Sequence, residues 1–112
     1  MNAYTPRRQS KRWLDGDCPS GVLAIYDDGP RSFDRYTVFY RDDVTTDHNG
    51  TVWIGYRGMS EHPAAPQGFG IYGSMTRWDA QQFRYVNSHR AATWSSLPDD
   101  VKATVRRDCE SA

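Results

Sequence analysis

The side chains best suited to acid–base chemistry near neutral pH are the three histidines of this 112-residue chain, His48, His62 and His89. His62 follows Ser60 and Glu61, but a serine–histidine pair works through its geometry in space, so adjacency predicts little. A zinc site needs three or four ligands, and neither the histidines nor the two cysteines have the spacing of a zinc motif. The sequence leaves enzymatic activity open but favours a protein that is not an enzyme. A small hydrolase with His62 in its site stays as an alternative.

Carboxylates are concentrated between two predicted strands, where Asp42, Asp43 and Asp47 lie close to His48. Their oxygens are of the type that binds hard cations such as magnesium or calcium. Carboxylates in turns are nevertheless usually solvated and bind no ion. The glycine pair Gly68 and Gly70 lacks the following lysine of a phosphate-binding loop. We therefore expect no metal site and no cofactor.

The segment from Gly55 to Gly73, GYRGMSEHPAAPQGFGIYG, is rich in glycine and proline. Glycine permits a close backbone approach or a positive φ angle, whereas proline fixes φ and removes a donor, so we predict a loop with a defined shape. It displays four polar residues that form a candidate recognition site for a protein, Ser60, Glu61, His62 and Gln67. A purely structural connection from sheet to helix explains the segment equally well.

A second candidate binding surface follows from alternation along two predicted strands. If the purely apolar sides of these strands form the core, the opposite sides place aromatic rings among arginines on one face, at Arg35, Phe39, Arg41, Trp53 and Arg57. Sheets bind single-stranded nucleic acid in this way, with bases on the rings and phosphates on the arginines. The alternative is that helices cover this face and the arginines lie at its rim. A formal net charge of zero argues against binding dominated by phosphate.

Three strands are predicted ahead of the helical part of the chain, over residues 22–26, 34–41 and 51–57. The connections between them are short, and the second ends in Asn49-Gly50, which favours a tight hairpin turn. Short connections predict antiparallel pairing, because parallel strands need a long crossover. The fold class is therefore α+β, with a meander of three or four antiparallel strands, the fourth an edge strand within residues 89–94.

Two helices complete the predicted fold. Thr76 and Asp79 have the spacing of a helix N-cap and an acidic residue in the first turn, ahead of a weakly amphipathic segment. A second helix begins near Ser96, and its apolar residues fall at steps of four, at Leu97, Val101 and Val105. This stripe predicts that the C-terminal helix packs on the sheet.

The length of the chain suits one domain, which we place at residues 18–112. Residues 1–17 hold four basic residues and little apolar periodicity, which predicts a flexible basic tail. We find neither a signal peptide nor a membrane-spanning run, so we expect a cytoplasmic protein that does not bind membranes. In that compartment Cys18 and Cys109 are expected to be reduced, and a disulfide between them is the alternative.

Several short motifs resemble a group of small bacteriophage and mobile-element proteins of no established function. The matching residues lie at 34–38, Tyr40, 58–60, Pro63, 66–70 and 97–98. The resemblance implies an accessory protein that acts in a host cytoplasm, but it implies no activity, fold or site. The leading hypothesis is therefore a non-enzymatic protein that binds a host macromolecule, most simply a protein, through residues 55–73 and the adjoining sheet. A nucleic-acid-binding module is the second hypothesis.

Overall fold

Four strands form one antiparallel sheet in the order in which they occur in the chain. A computed structural model describes residues 6–66, 68 and 70–110. The strands are β1 (Val22–Asp27), β2 (Tyr36–Thr46), β3 (Val52–Met59) and β4 (Gly70–Thr76). Two helices follow, α1 (Arg77–Val86) and α2 (Asp99–Glu110), with two short 3₁₀ turns between them. The predicted α+β class and antiparallel meander are confirmed.

The fourth strand is β4, and it does not lie where the sequence pattern suggested. Residues 89–94 form parts of two 3₁₀ turns and contribute only an isolated bridge between Ala91 and Tyr26. Glycine at positions 70 and 73 lowers the intrinsic strand propensity of β4, and for this reason the sequence pattern predicts a loop as far as Gly73. In the folded chain the Tyr56 ring fills the space beside Gly73, where a Cβ atom would be 3.2 Å from the tyrosine oxygen.

Helices cover both faces of the sheet, which gives the domain two apolar clusters. On the face packed by α2, which we call the α2 face, strand residues Tyr36, Val38, Tyr40 and Met59 join the residues of the predicted C-terminal stripe and Trp94. On the opposite, α1 face, Leu23, Phe39 and Ile54 pack with Ala80 and the partly buried Phe83. The alternation predicted for β2 and the stripe Leu97, Val101 and Val105 are both confirmed by this burial.

Both helices begin close to where the sequence placed them. Thr76 is the N-cap of α1, and its side-chain oxygen accepts a hydrogen bond from the Asp79 backbone N–H at 3.1 Å. Asp99 and Asp100 lie in the first turn of α2, where carboxylates interact favourably with the positive end of the helix dipole. In the described part of the chain, no helix is both long and apolar enough to cross a membrane.

Within residues 6–17, where the sequence predicts a flexible tail, residues 8 and 9 lie along the outer edge of β1. The Gln9 backbone N–H donates to the Leu23 carbonyl at 2.9 Å, and the Gln9 side-chain oxygen accepts from the Ile25 N–H at 2.9 Å. Arg8 Nε donates to the Val22 carbonyl at 2.8 Å, and Leu14 is buried in the α2-face cluster. The outer edge of β1 exposes backbone groups that need partners, and these residues supply them. Residues 1–5 lie outside the described residues.

Candidate functional site

The pairing of β2 with β3 is interrupted near the middle of both strands. Regular pairs run as far as Phe39 opposite Tyr56 and resume at Val44 opposite Ile54, so that residues 40–43 lie opposite Gly55 alone. Bulges of this kind bend a strand and redirect its side chains. Glycine is required on the partner strand, because a Cβ atom at position 55 would overlap the side chain of Asp43.

A cavity of about 360 Å³ lies on the α2 face beside this irregularity. We call it the bulge cavity. Its walls come from four parts of the chain: the residue before β1, the bulged part of β2, β4 and the last turn of α2. They are Gly21, Tyr40, Asp42, Asp43, Tyr72, Asp108 and Cys109.

One wall of the bulge cavity is a hydrogen-bonded group centred on Asp108. Arg57 donates to both carboxylate oxygens of Asp108, with Nε–Oδ2 at 2.9 Å and Nη2–Oδ1 at 2.5 Å. The Tyr40 hydroxyl also donates to Oδ2, at 2.5 Å. Burial, reinforced by this hydrogen bond, raises the pKa of Tyr40 well above its ordinary value, so the hydroxyl stays protonated. The positive charge of Arg57 balances the negative charge of Asp108, and the hydrogen bonds to Asp108 raise the pKa of Arg57.

Tyr72 connects this group to the sheet edge and to the bulge. Its ring stacks on that of Tyr40, with centroids 5.9 Å apart and planes at 14°, and its hydroxyl donates to Asp43. The guanidinium of Arg57 lies 5.0 Å from the centre of the same ring. Asp42 and Asp43 pair with no basic residue of the described chain. The bulge cavity therefore has an apolar aromatic wall and an excess of negative charge.

The chemistry available in the bulge cavity is recognition of a cation rather than nucleophilic attack. Burial raises the pKa of Cys109 to about 11, so its thiol is overwhelmingly protonated at neutral pH and is a poor nucleophile. Among the described residues, no group of three or more histidine, cysteine or carboxylate side chains is arranged to hold a metal ion.

The outer edge of β4, which we call the β4 edge, borders the bulge cavity at Tyr72. In the described part of the chain, no backbone hydrogen bond reaches β4 from any segment other than β3 and its own neighbours in sequence. Ile71 and Tyr72 are 46% and 48% exposed. The strand contains neither a charged residue nor a proline. As far as the described residues show, the sheet therefore ends in an open edge on this side, whereas residues 8 and 9 cover the β1 edge.

The residues predicted as a recognition loop lie in a shorter connection, residues 60–69 between β3 and β4. Glu61 is 3.4 Å from Arg35, and His62 Nδ1 is 3.3 Å from Asp100 Oδ2. These contacts tie the connection to the start of β2 and the first turn of α2, beyond the C-terminal end of β3. Ser60 is partly buried, and Gln67 lies outside the described residues.

The five residues proposed to bind nucleic acid do not share a surface. Phe39 lies opposite Tyr56 on the α1 face and is fully buried, whereas Arg57 lies opposite Val38 on the α2 face. The predicted shared face assumed that the purely apolar sides of both strands coincide, but cross-strand register decides this, and both faces are covered by helices.

Of the other three residues proposed to bind nucleic acid, two form hydrogen bonds within the chain and one is exposed without an ion pair to a described residue. Arg35 forms two hydrogen bonds to Asp27, at 2.8 and 3.1 Å, and Trp53 Nε1 donates to Asp47 at 3.0 Å. Arg41 is exposed, and its side chain forms no ion pair with a described residue. Two of the three arginines are thus already paired with carboxylates.

Sequence reasoning missed Tyr40, Tyr72 and Asp108 as members of a common site. Asp108 and Arg57 are 51 positions apart, and no local pattern indicates that they meet. The one available signal was Gly55 in the interior of a predicted strand, because an isolated glycine there often marks a bulge. No model of a protein family matches the chain, and the searches of curated proteins and of solved structures found no match either.

Proposed function

We propose that this chain is a non-enzymatic binding protein that adds an extended segment of another protein to its β4 edge. The observation that carries the proposal is the difference between the two edges of the sheet. Residues 8 and 9 satisfy outward-facing groups of β1, whereas no described segment pairs with the outer side of β4. An unpaired edge is a template for another strand, and main-chain hydrogen bonds provide the affinity in such complexes.

The composition of β4 supports this use of the edge. Proteins usually protect a free edge with charged residues, proline or a covering segment, and β4 contains neither charge nor proline. Ile71 projects on the α1 face and Tyr72 on the α2 face, since they lie opposite Gly58 and Arg57 respectively. An added strand would meet a partly exposed apolar side chain on each face.

A host protein is the partner that the resemblance to bacteriophage proteins supports. The proposed site also adjoins the connection that displays Ser60, Glu61 and His62, because β4 begins directly after it. Binding through this connection and the adjoining sheet edge was the leading hypothesis from the sequence, and it stays a proposal here.

Amide hydrogen exchange tests the proposed site. Peptides that bind the immobilised protein are first selected from a random twelve-residue library. At saturating peptide, we expect slower exchange at those N–H groups of β4 that point away from β3, because the added strand accepts their hydrogen bonds. Ile71→Lys is expected to weaken binding at least tenfold, since a charged side chain at a sheet edge opposes pairing.

Val86→Lys is the matched control for Ile71→Lys. Val86 is also an exposed β-branched residue, at 62%, but it lies on α1 rather than on β4. We expect this variant to bind the selected peptides as the parent protein does. Binding lost in Val86→Lys and kept in Ile71→Lys, with no added protection in β4, would place the site on α1 and overturn the proposal.

A further inference from the structure

We propose that the segment added at the β4 edge carries a lysine or arginine whose side chain enters the bulge cavity. This inference rests on the proposed function, because the added strand is what delivers the side chain. It names the partner segment by its chemistry: an extended peptide with a basic residue in register with Tyr72.

The geometry of the edge connects the strand to the bulge cavity. Tyr72 belongs to both, since it is a central residue of β4 and also lines the cavity. Residues directly opposite each other on adjacent strands project to the same face, with Cβ atoms about 4.5–5.5 Å apart. A side chain opposite Tyr72 on an added strand therefore projects onto the α2 face, beside the Tyr72 ring that forms a wall of the cavity.

The charge of the bulge cavity selects the kind of side chain. Three carboxylates line it, and among the residues that the structure describes, the only basic group paired with any of them is Arg57, which is bound to Asp108. Asp42 and Asp43 lack a basic partner among the described residues, so an incoming cation would find two acceptors. An acidic side chain would be repelled, and an apolar one would gain no charge interaction.

The remaining walls suit the stem of a long basic side chain. Lysine and arginine bury their methylene groups against apolar surface while the charged end binds polar groups. The ring of Tyr72, which is about half exposed and stacks on the buried Tyr40, provides that surface. A volume of about 360 Å³ is near the lower limit for ligand pockets, about 300 Å³, and accommodates one side chain rather than a large ligand.

Four peptides of alternating threonine and valine test the inference, with arginine, lysine, norleucine or glutamate at the central position. Each is titrated into isotope-labelled protein, and two sets of amide signals are followed by NMR. Shifts in β4 report occupancy of the edge, and shifts at Gly21 and Cys109 report occupancy of the bulge cavity. We expect the arginine and lysine peptides to bind about tenfold more tightly than the norleucine peptide, as one charge-assisted hydrogen bond would provide.

The paired variant Asp42→Asn/Asp43→Asn should abolish the preference for the basic peptides while all peptides still shift the β4 signals. Its control is Asp79→Asn/Asp99→Asn, which makes the same charge change in the first turns of α1 and α2. The control should keep the preference, because neither residue lines the bulge cavity.

The two proposals fail in different ways in this experiment. If all four peptides bind with equal affinity and shift the β4 signals, the proposal of a basic side chain is wrong, whereas the proposal of strand addition is supported. Absence of β4 shifts with every peptide would overturn both. Sedimentation of the peptide-free protein as a dimer, with β4 amides protected from exchange, would assign the edge to a second copy of the chain and would also overturn this inference.

Discussion

Asp108 is the residue on which the walls of the bulge cavity depend. It accepts hydrogen bonds from Tyr40 on β2 and from Arg57 on β3, so it holds α2 against two strands. The Asp108 side chain is 13% exposed and that of Arg57 is 20% exposed. Loss of one partner from such a pair leaves the other charge poorly solvated, which costs more than the intact pair contributes.

We expect Asp108→Ala to lower the free energy of unfolding by about 2–3 kcal/mol, because Arg57 and Tyr40 lose a charged acceptor together. Urea unfolding at pH 7 measures the change. Glu110→Ala removes an exposed carboxylate from the same helical turn and should change stability by less than about 0.5 kcal/mol. Equal stability of the two variants would show that the Asp108 group does not fix α2 to the sheet.

At the scale of elements, the two edges of the sheet differ: other residues cover the β1 edge, whereas no described segment pairs with the β4 edge. The side-chain amide of Gln9 acts as a short strand mimic, since its oxygen accepts from the Ile25 N–H and its nitrogen donates to the Ile25 carbonyl, at 2.9 and 3.4 Å. The Ala92 N–H also donates to that carbonyl, at 3.1 Å. The β1 edge is thus closed by side-chain and loop contacts rather than by a fifth strand.

We expect Gln9→Ala to cost about 1–2 kcal/mol, because the N–H of the fully buried Ile25 loses its acceptor. Urea unfolding gives the stability, and hydrogen exchange should show faster exchange at the Ile25 amide. Gln82→Ala, on the exposed side of α1, is the control and should be within about 0.5 kcal/mol of the parent. Unchanged protection of Ile25 in Gln9→Ala would mean that this segment does not close the β1 edge.

At the scale of the whole molecule, ionisation links stability to pH at both extremes. Burial acts to raise the pKa of Asp27, but hydrogen bonds from Arg35 and from the Gly29 N–H outweigh it and leave that pKa lowered. The pKa of Asp47 is lowered by hydrogen bonds, of which the one from Trp53 is the largest cause. A lowered carboxyl pKa stabilises the fold above the unfolded value, near 4, and this contribution is lost as pH falls further.

For the groups whose pKa is raised, the stability changes with pH in the opposite direction and falls as the pH rises. Burial raises the pKa of both thiols, Cys18 and Cys109, to about 11 and raises that of Tyr40 further. Such groups contribute to stability as long as they are protonated in both the folded and the unfolded protein. Their contribution declines once the unfolded chain can ionise, from about pH 9 for thiols and about pH 10 for tyrosine.

We therefore expect the stability to be highest between about pH 5 and pH 8, to fall below pH 4 and to fall again above pH 9. Above pH 10 the buried Tyr40 should add a slope of about 1.4 kcal/mol per pH unit. Urea midpoints across this range measure the profile. Tyr40→Phe should lower the slope above pH 10 by about 1.4 kcal/mol per pH unit, leaving the contribution of the two thiols, and should keep the acid limb. An unchanged slope above pH 10 would contradict the burial of Tyr40 as one of its sources.

The sequence by itself determined the class of the fold, because helices and strands leave patterns among residues that are close together in the chain. Alternation in β2 gave its two faces, steps of four gave the buried stripe of α2, and Thr76 with Asp79 gave the start of α1. Each of these features depends on periodicity or on a cap within a few positions, so one segment carries the whole signal.

Only the tertiary structure decided which surfaces are exposed and which side chains meet. Cross-strand register put Phe39 and Arg57 on opposite faces, and the bulge opposite Gly55 brought Asp43 to Tyr72 and opened the bulge cavity. The Tyr56 ring beside Gly73 and the Gln9 amide beside Ile25 likewise join residues distant in sequence. Such contacts follow from how the segments pack together, and propensity within one segment contains no information about its neighbour.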